Sequence, residues 1–535
     1  MCIIDTVIKT QKIVIVGGGS AGWMTAAALI KSFPERDITV VCSSDDPIIG
    51  VGESTIGGIK VFTNYIGIDE KDFLKETNAS YKLSICFTDF YKKDSGSFHY
   101  PFGTAVIVGE RNPYFDWHLK KYYYPSTPVQ DFVNMVPSSY LFLNNKYSIN
   151  PNGEFNHFDP VFETAYHFDA TKFGAVLKNK YCVNKGVKYI DGTVNYIEVN
   201  EEGVEYLTLS NGQHIYADIF IDCTGFKSLL LDKTLKEEFI SYEYLLPNNS
   251  AIAAQVQYED KEKELQPYTN CTAIENGWCW NIPLWSRLGT GYVYSNKYTT
   301  KENALEEFKN YLTSDKMTIP RTRDQVDSLS YKYIDMRVGI HKKTFVKNVV
   351  AIGLSAGFIE PLESSGLYTV HEFLSHLINI LTPPLIKQID KDMYNNSIKQ
   401  IFHGFAEFVA MHYSLSSRDD TPYWESVTSR ECDFTYEGQN KAGLAKQSVY
   451  SELQTRYMLT WEHPYTIEGL PYIATGLHYD MLNEYKVALM EARQKRNFRN
   501  EIDEIQMNWE ALQNKWSRNA EKAPTLFQYL SKLHI

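Results

Sequence analysis

Gly17-Gly18-Gly19-Ser20-Ala21-Gly22 is the stretch of this chain with the plainest chemistry. Gly17, Gly19 and Gly22 satisfy G-x-G-x-x-G. In such a turn the first glycine permits a tight bend, the second lets backbone approach a pyrophosphate, and the third lets a helix pack on a strand. The helix N-terminus that follows offers free N–H groups and a positive dipole end to the phosphates. The chemistry is dinucleotide binding. The turn alone does not choose between FAD and NAD.

The flanking elements are those such a turn requires. Lys12–Val16 (K-I-V-I-V) has the apolar character of a strand buried on both faces of a parallel sheet. Ala21–Ile30 is dense in alanine and apolar residues and predicts a helix, and Ile38–Cys42 predicts a second buried strand, completing a βαβ unit. An acidic residue usually closes that second strand and holds the ribose hydroxyls. Here the place reads Val41-Cys42-Ser43-Ser44-Asp45-Asp46, so Ser43, Ser44, Asp45 and Asp46 are the candidates. Farther on, Val204–Leu209, the Asn211-Gly212 turn and His214–Asp222 predict a hairpin running into a buried strand. Asn348–Gly353 predicts another strand, and a helix starts near Ser365 and ends by Leu381, before Pro383 and Pro384. Leu385–Met411, Ala442–Met458 and the charged tail Leu482–Leu512 read as helical.

Bulk properties exclude several functions. The 535 residues carry a net charge of −12 without a basic block, which argues against nucleic acid as a partner. No apolar run approaches about 18 residues, so no membrane span is expected. The eight cysteines, Cys2 and Cys432 among them, form no C-x-x-C pair, and their sparseness fits reduced thiols in a cytoplasmic protein. The thirteen histidines show no H-E-x-x-H pattern and G-x-S-x-G is absent, so metal and serine-hydrolase chemistry are not expected.

Four further motifs sharpen the reading. Pro47-Ile48-Ile49-Gly50-Val51-Gly52-Glu53-Ser54-Thr55 follows the second strand. Ile221-Asp222-Cys223-Thr224-Gly225-Phe226 closes the strand after the hairpin. Gly277-Trp278-Cys279-Trp280-Asn281-Ile282-Pro283 lies mid-chain, and Phe358-Ile359-Glu360-Pro361-Leu362-Glu363-Ser364-Ser365-Gly366 follows the late strand. In order and spacing, over most of residues 10–380, the chain resembles the flavin-dependent halogenases of the tryptophan-halogenase type. The resemblance implies an α/β fold (α+β overall), with an FAD-binding Rossmann-like core of the flavin monooxygenase type and a mostly helical C-terminal subdomain. It implies a core at 10–380, with substrate-side segments inserted near 90–165, and a helical substrate-side subdomain at 381–535.

The implied chemistry uses reduced FAD from a separate flavin reductase, together with oxygen and a halide. The hypohalous acid they yield travels an internal tunnel to a lysine beside an electron-rich aromatic substrate. By resemblance the lysine is Lys82, whose ammonium polarises the oxidant or whose amine forms a haloamine, and Glu363 is its partner carboxylate, with Glu360 as rival. An isolated lysine is more often a solvated surface residue, and a glutamate at a helix start is often there for the dipole. Ser365 and Gly366 match halide-holding positions. Gly17, Gly19, Ser20, Ala21, Gly22, Ser43, Gly52, Glu53, Ser54, Val194, Gly225, Gly353, Leu354 and Leu367 match positions around the cofactor. Trp278 and Trp280 are expected to wall the flavin from the substrate, and Phe102 to stack on that substrate.

In the substrate region the chain departs from its relatives. They carry His-Pro-Phe where this chain has Phe98-His99-Tyr100-Pro101-Phe102-Gly103, so Tyr100 stands in for the histidine. No Phe-Trp pair is evident around His463-Pro464-Tyr465-Thr466-Ile467-Glu468-Gly469. The expectation is therefore indoles, phenols or other electron-rich aromatics rather than free tryptophan alone, with chloride, bromide and iodide open and a homo-oligomer compatible with the reading. Two alternatives stay open here: a single-component FAD monooxygenase that hydroxylates aromatics, and a flavin-binding relative without activity.

Overall fold

In a computed structural model the described residues are 8–44, 52–108, 113–429, 466–478 and 484–534. Asp45, Asp46, the Pro47–Val51 part of the second motif, the Ala442–Met458 stretch, His463–Tyr465, Cys2 and Cys432 lie outside them. The chain divides into two compact units. The first comprises Met1–Ala79, Tyr166–Ala251 and Tyr333–Ala406, and the second Ser80–Ala165, Ile252–Lys332 and Glu407–Ile535.

The first unit is built on a six-stranded sheet in the order Phe345–Val346, Val349–Ala351, Ile219–Asp222, Lys12–Val16, Asp37–Cys42, Lys188–Asp191. All pairs are parallel except the first, which is antiparallel. Ile13, Val14, Ile15, Ile219, Phe220 and Ile221 are completely buried, as the apolar runs require of strands covered on both faces. Helix Ser20–Ser32 packs on this sheet and helix Gly366–Leu381 packs on Ser20–Ser32, and their alanine- and leucine-rich faces are buried. The hairpin at the Asn-Gly turn forms as expected from Gly203–Leu209 and His214–Tyr216, joined by Val194–Asn200 in a three-stranded sheet. The buried strand after it is shorter than the sequence suggests. It begins only at Ile219, because the Asp218 carboxylate turns back to accept from the Gln11 and Lys12 amides.

The second unit carries a larger sheet with neighbouring strands in the order Ser250–Val256, Leu288–Tyr294, Gly277–Pro283, Tyr268–Ile274, Ser84–Thr88, Ser97–Pro101. Gly277–Pro283 is buried along its whole length. Helix Lys301–Thr313 packs Ala304, Phe308, Tyr311 and Leu312 into the same core. The charged tail folds as the helices Glu484–Gln494 and Phe498–Lys522, and Val487, Phe498 and Ile502 bury against Leu119. Among the described residues no helix is long and apolar enough to cross a membrane.

Candidate active site

In the first unit the expected cofactor residues gather at the carboxyl ends of the central strands, where open α/β sheets bind ligands. Val16 leads into Gly17, Cys42 into Ser43, Asp191 toward Val194, Asp222 toward Gly225, and Ala351 toward Gly353. The glycines are there for space. Gly17 has φ +119°, and a Cβ on it would lie 2.1 Å from the Cys223 carbonyl oxygen; one on Gly22 would lie 2.0 Å from the Gly17 carbonyl oxygen. A Cβ on Gly19 would meet nothing within 4 Å, so this glycine borders open space rather than packed chain. It is also the N-cap of helix Ser20–Ser32, which has neither a side-chain cap nor an acidic residue in its first turn. The donor set left there is backbone N–H, the set a pyrophosphate needs.

The rest of this rim is tied together by hydrogen bonds. Asp222, fully buried, accepts from the Thr224, Leu230 and Leu231 amides at 3.0, 2.7 and 3.0 Å and from the Thr224 hydroxyl at 2.7 Å. Ser355 Oγ donates to the Gly225 carbonyl at 3.2 Å, and Ser228 Oγ to the Ser355 carbonyl at 2.9 Å. Gly353, at φ +70°, lets its turn sit against Ala21, whose Cβ would be 2.9 Å from an added Cβ. Leu354 is half-buried beside it, and Leu367 is buried in the first turn of the later helix.

Two motifs about three hundred residues apart meet here. Ser364 Oγ donates to Ser54 Oγ at 3.0 Å, joining G-E-S-T to E-S-S-G. Glu53 and Ser54 pair antiparallel with Phe168 and His167, and Thr55 exchanges hydrogen bonds with Tyr166. Desolvation, with a smaller contribution from Asp169, raises the Glu53 carboxyl to about 7. Glu363 ends the turn Pro361–Glu363 and is 3% exposed. It is not a first-turn helix residue. Ser364 takes a left-handed φ of 57°, and the helix follows from the N-cap Ser365. That cap again has no side-chain hydrogen bond, and a Cβ on Gly366 would meet nothing within 4 Å. Ser365, buried, and Gly366, exposed, thus present uncapped helix-start N–H groups, which suit a small anion.

Lys82 belongs to the second unit. It ends the strand Ser80–Lys82 and is completely buried, so it is not a solvated surface lysine. Its Nζ lies 5.0 Å from the Phe102 ring centroid, within cation–π range. The backbone explains the approach, because the Phe102 amide donates to the Leu83 carbonyl at 2.9 Å and so extends the Ser84↔Pro101 register by one step. Strand alternation then separates His99 from Tyr100. His99 is buried against Phe142 and Tyr268, with Nδ1 3.1 Å from Ser84 Oγ, and burial depresses its ring to about 3. Tyr100 instead joins Phe102 (6.3 Å), Phe408 (6.3 Å) and Tyr472 (5.8 Å, stacked), and Phe132 packs on Tyr472 at 4.9 Å. Tyr472 is fixed by donating to the Gly103 carbonyl at 3.1 Å.

Phe132, Phe408 and Tyr472 were not singled out from sequence. The one available signal was the aromatic residue three positions beyond Gly469. Trp278 and Trp280, two residues apart on one strand, share a face with ring centroids 6.2 Å apart, and both are buried. Lys82, Phe102, Trp278 and Trp280 therefore lie in one unit, and the glycine turn, Glu363, Ser365 and Gly366 in the other.

With this geometry in hand, comparison with known proteins is decisive. The family model described as tryptophan halogenase matches residues 12–465. The chain belongs to the tryptophan halogenase family. It is thus an enzyme, a flavin-dependent halogenase with a Rossmann-like flavin-binding fold. It is 34% identical over 443 residues to the 7-chloro-L-tryptophan 6-halogenase KtzR of Kutzneria sp. (strain 744), spanning 78% of this chain and 82% of that one. It is 32% identical over 431 residues to the tryptophan 7-halogenase RebH of Lentzea aerocolonigenes, spanning 78% and 79%. Among solved structures, VirX1 in its apo form superposes with a TM-score of 0.87 at 33% identity, over 98% of this halogenase and 99% of that chain. Tar14, a tryptophan C-6 flavin-dependent halogenase from taromycin biosynthesis, gives 0.81 at 29% identity over 98% and 100%.

Proposed function

We propose that this halogenase uses FADH2 supplied by a separate flavin reductase to halogenate neutral, electron-rich aromatics of the indole or phenol type. The observation that carries the substrate reading is the ring cluster beside Lys82: Phe102, Tyr100, Tyr472, Phe408 and Phe132 gather next to a fully buried lysine. Such rings bind a flat aromatic by stacking, each pair contributing about 0.5–1.5 kcal/mol beyond area burial.

When bound, the reduced flavin supplies the two electrons with which oxygen and a halide give hypohalous acid, water and oxidised FAD. The backbone N–H groups of Gly17–Gly22 hold the pyrophosphate, and Ser43, Gly52, Glu53, Ser54, Val194, Gly225, Gly353, Leu354 and Leu367 line the remaining cofactor contacts. Ser365 and Gly366 hold the halide at the helix start, where a neutral N–H set binds an anion without neutralising it. Trp278 and Trp280 wall substrate from flavin and block direct oxygen transfer. Lys82 donates a hydrogen bond to hypohalous acid and so makes its halogen electrophilic. Glu363 is the candidate general base for halogenation, a role typically worth about 10²–10⁴-fold.

The setting is the cytoplasm. Eight cysteines in 535 residues are too sparse for a disulfide framework, and burial raises the Cys86 and Cys182 thiols to about 11 and about 12, which leaves them unreactive. The test is an incubation with FAD, NADH, a flavin reductase and chloride, bromide or iodide over a panel of indoles, phenols and free tryptophan, read by mass spectrometry. Halogenated indoles and phenols across the panel are expected. Efficient turnover of free tryptophan alone, at one ring position, would contradict the substrate reading.

A further inference from the structure

The strand Asp37–Cys42 reaches the cofactor edge without a carboxylate of its own. It ends on the half-buried Cys42 and Ser43. The structure brings a carboxylate to the same point from the neighbouring strand. Lys188–Asp191 runs parallel to Asp37–Cys42, with Cys42 opposite Asp191 in register. The two strand ends are laced together beyond that pair. The Ser44 amide donates to Asp191 Oδ1 at 2.9 Å, and the Gly192 amide donates to the Cys42 carbonyl at 3.1 Å.

The side chain is aimed as well as placed. Ser44 holds one side of the carboxylate while the residue as a whole remains exposed at the rim. Hydrogen bonding from Ser44, backbone first and then side chain, keeps the Asp191 carboxyl below the ordinary range, with Lys178 adding to the effect. Behind it the wall is rigid: Lys178 Nζ sits 3.5 Å over the Tyr189 ring, and Tyr189 packs on Trp23 of the phosphate-binding helix with centroids 6.0 Å apart. The phosphate turn is close by, since a Cβ on Gly18 would lie 2.3 Å from Cys42 Sγ. One edge therefore presents, in sequence along a bound dinucleotide, the pyrophosphate turn and then a fixed acceptor where an adenosine ribose would project its hydroxyls.

We propose that Asp191, delivered by the adjacent strand, is the ribose-binding carboxylate of the adenine dinucleotide site, accepting hydrogen bonds from the adenosine 2′- and 3′-hydroxyls. This rests on the reading that the chain binds FAD. It assigns to a residue about 150 positions downstream the role that the strand after the glycine turn ordinarily fills.

The test is an equilibrium titration of the full chain with oxidised FAD and with an FAD analogue carrying 2′-deoxyadenosine, for the native protein, Asp191→Asn, and Asp45→Asn/Asp46→Asn. The native protein should bind the deoxy analogue about 10-fold more weakly than FAD, as expected for loss of one charge-assisted hydrogen bond. Asp191→Asn should bind FAD about 10-fold more weakly than the native protein and no longer separate the two ligands, with an unchanged Tm. Discrimination retained in Asp191→Asn, discrimination lost in the Asp45/Asp46 variant instead, or a native protein that binds both ligands equally would each overturn the assignment. A native protein that binds no FAD would sink the flavin reading itself, an outcome distinct from all of these.

Discussion

The flavin-side rim of the first unit and the lysine pocket of the second are built from different materials. At the rim, the groups proposed to recognise ligands are mostly backbone: N–H donors at Gly17–Gly22 and at Ser365–Gly366, left open because glycine leaves room or because no side chain caps the helix. In the pocket they are side chains, Lys82 and a set of rings contributed from positions 100, 102, 132, 408 and 472. Backbone recognition suits ligands that do not change, a pyrophosphate and a halide. Side-chain recognition suits a substrate that does, because ring size and shape vary with the residue type while the strand backbone stays the same.

The largest effect separates space from function among the glycines. Gly22→Ala drives a methyl group to 2.0 Å from the Gly17 carbonyl oxygen and should abolish FAD binding and lower Tm together. Gly19→Val leaves the fold in place, since nothing packs there, and should cost FAD affinity about 10-fold or more with Tm unchanged; calorimetry and flavin titration separate the two. A Gly19 variant that unfolds like the Gly22 one would break the view of that rim as a preformed cradle.

A smaller effect is expected across the pocket. Tyr100→Leu should raise KM for indoles about 2- to 10-fold, the equivalent of one lost aromatic contact, and leave FAD affinity untouched. Loss of FAD affinity in that variant would dissolve the distinction between the two regions.

The smallest effect is a stability slope. His99 is held neutral, its pKa depressed to about 3 by burial, while an unfolded histidine titrates near 6.5. Its contribution to stability is therefore complete above about pH 6.5 and is lost progressively as pH falls toward 3. His99→Gln, which has no such group, should show a shallower fall of Tm between pH 7 and pH 5. An identical slope would mean that His99 is not the neutral, inward-facing residue that leaves Tyr100 to the pocket.

The contrast also explains what could be read from sequence. Lys12–Val16, the helix after it and Asp37–Cys42 form within a residue or two of expectation, because buried parallel strands and alanine-rich helices are written in local composition. The glycine turn was legible for the same reason. The Ser54–Ser364 bond, the Tyr100–Tyr472 stack and the Asp191–Ser44 clamp were not, since each joins residues that only strand order and packing bring together. Asp191 sits on the strand beside the one on which an acidic residue is expected, and Tyr472 lies three positions past the 463–469 stretch.

In the proposed function Lys82 acts after the oxidant has been made. The direct measurement is Lys82→Ala with FAD, reductase, NADH and bromide, following flavin reoxidation, free hypohalous acid by a chemical trap, and halogenated indole by mass spectrometry. Reoxidation at close to the native rate, trap-detectable oxidant, and enzymatic product reduced by about 10³-fold are expected. Native-level halogenation by the Lys82→Ala protein would contradict that role.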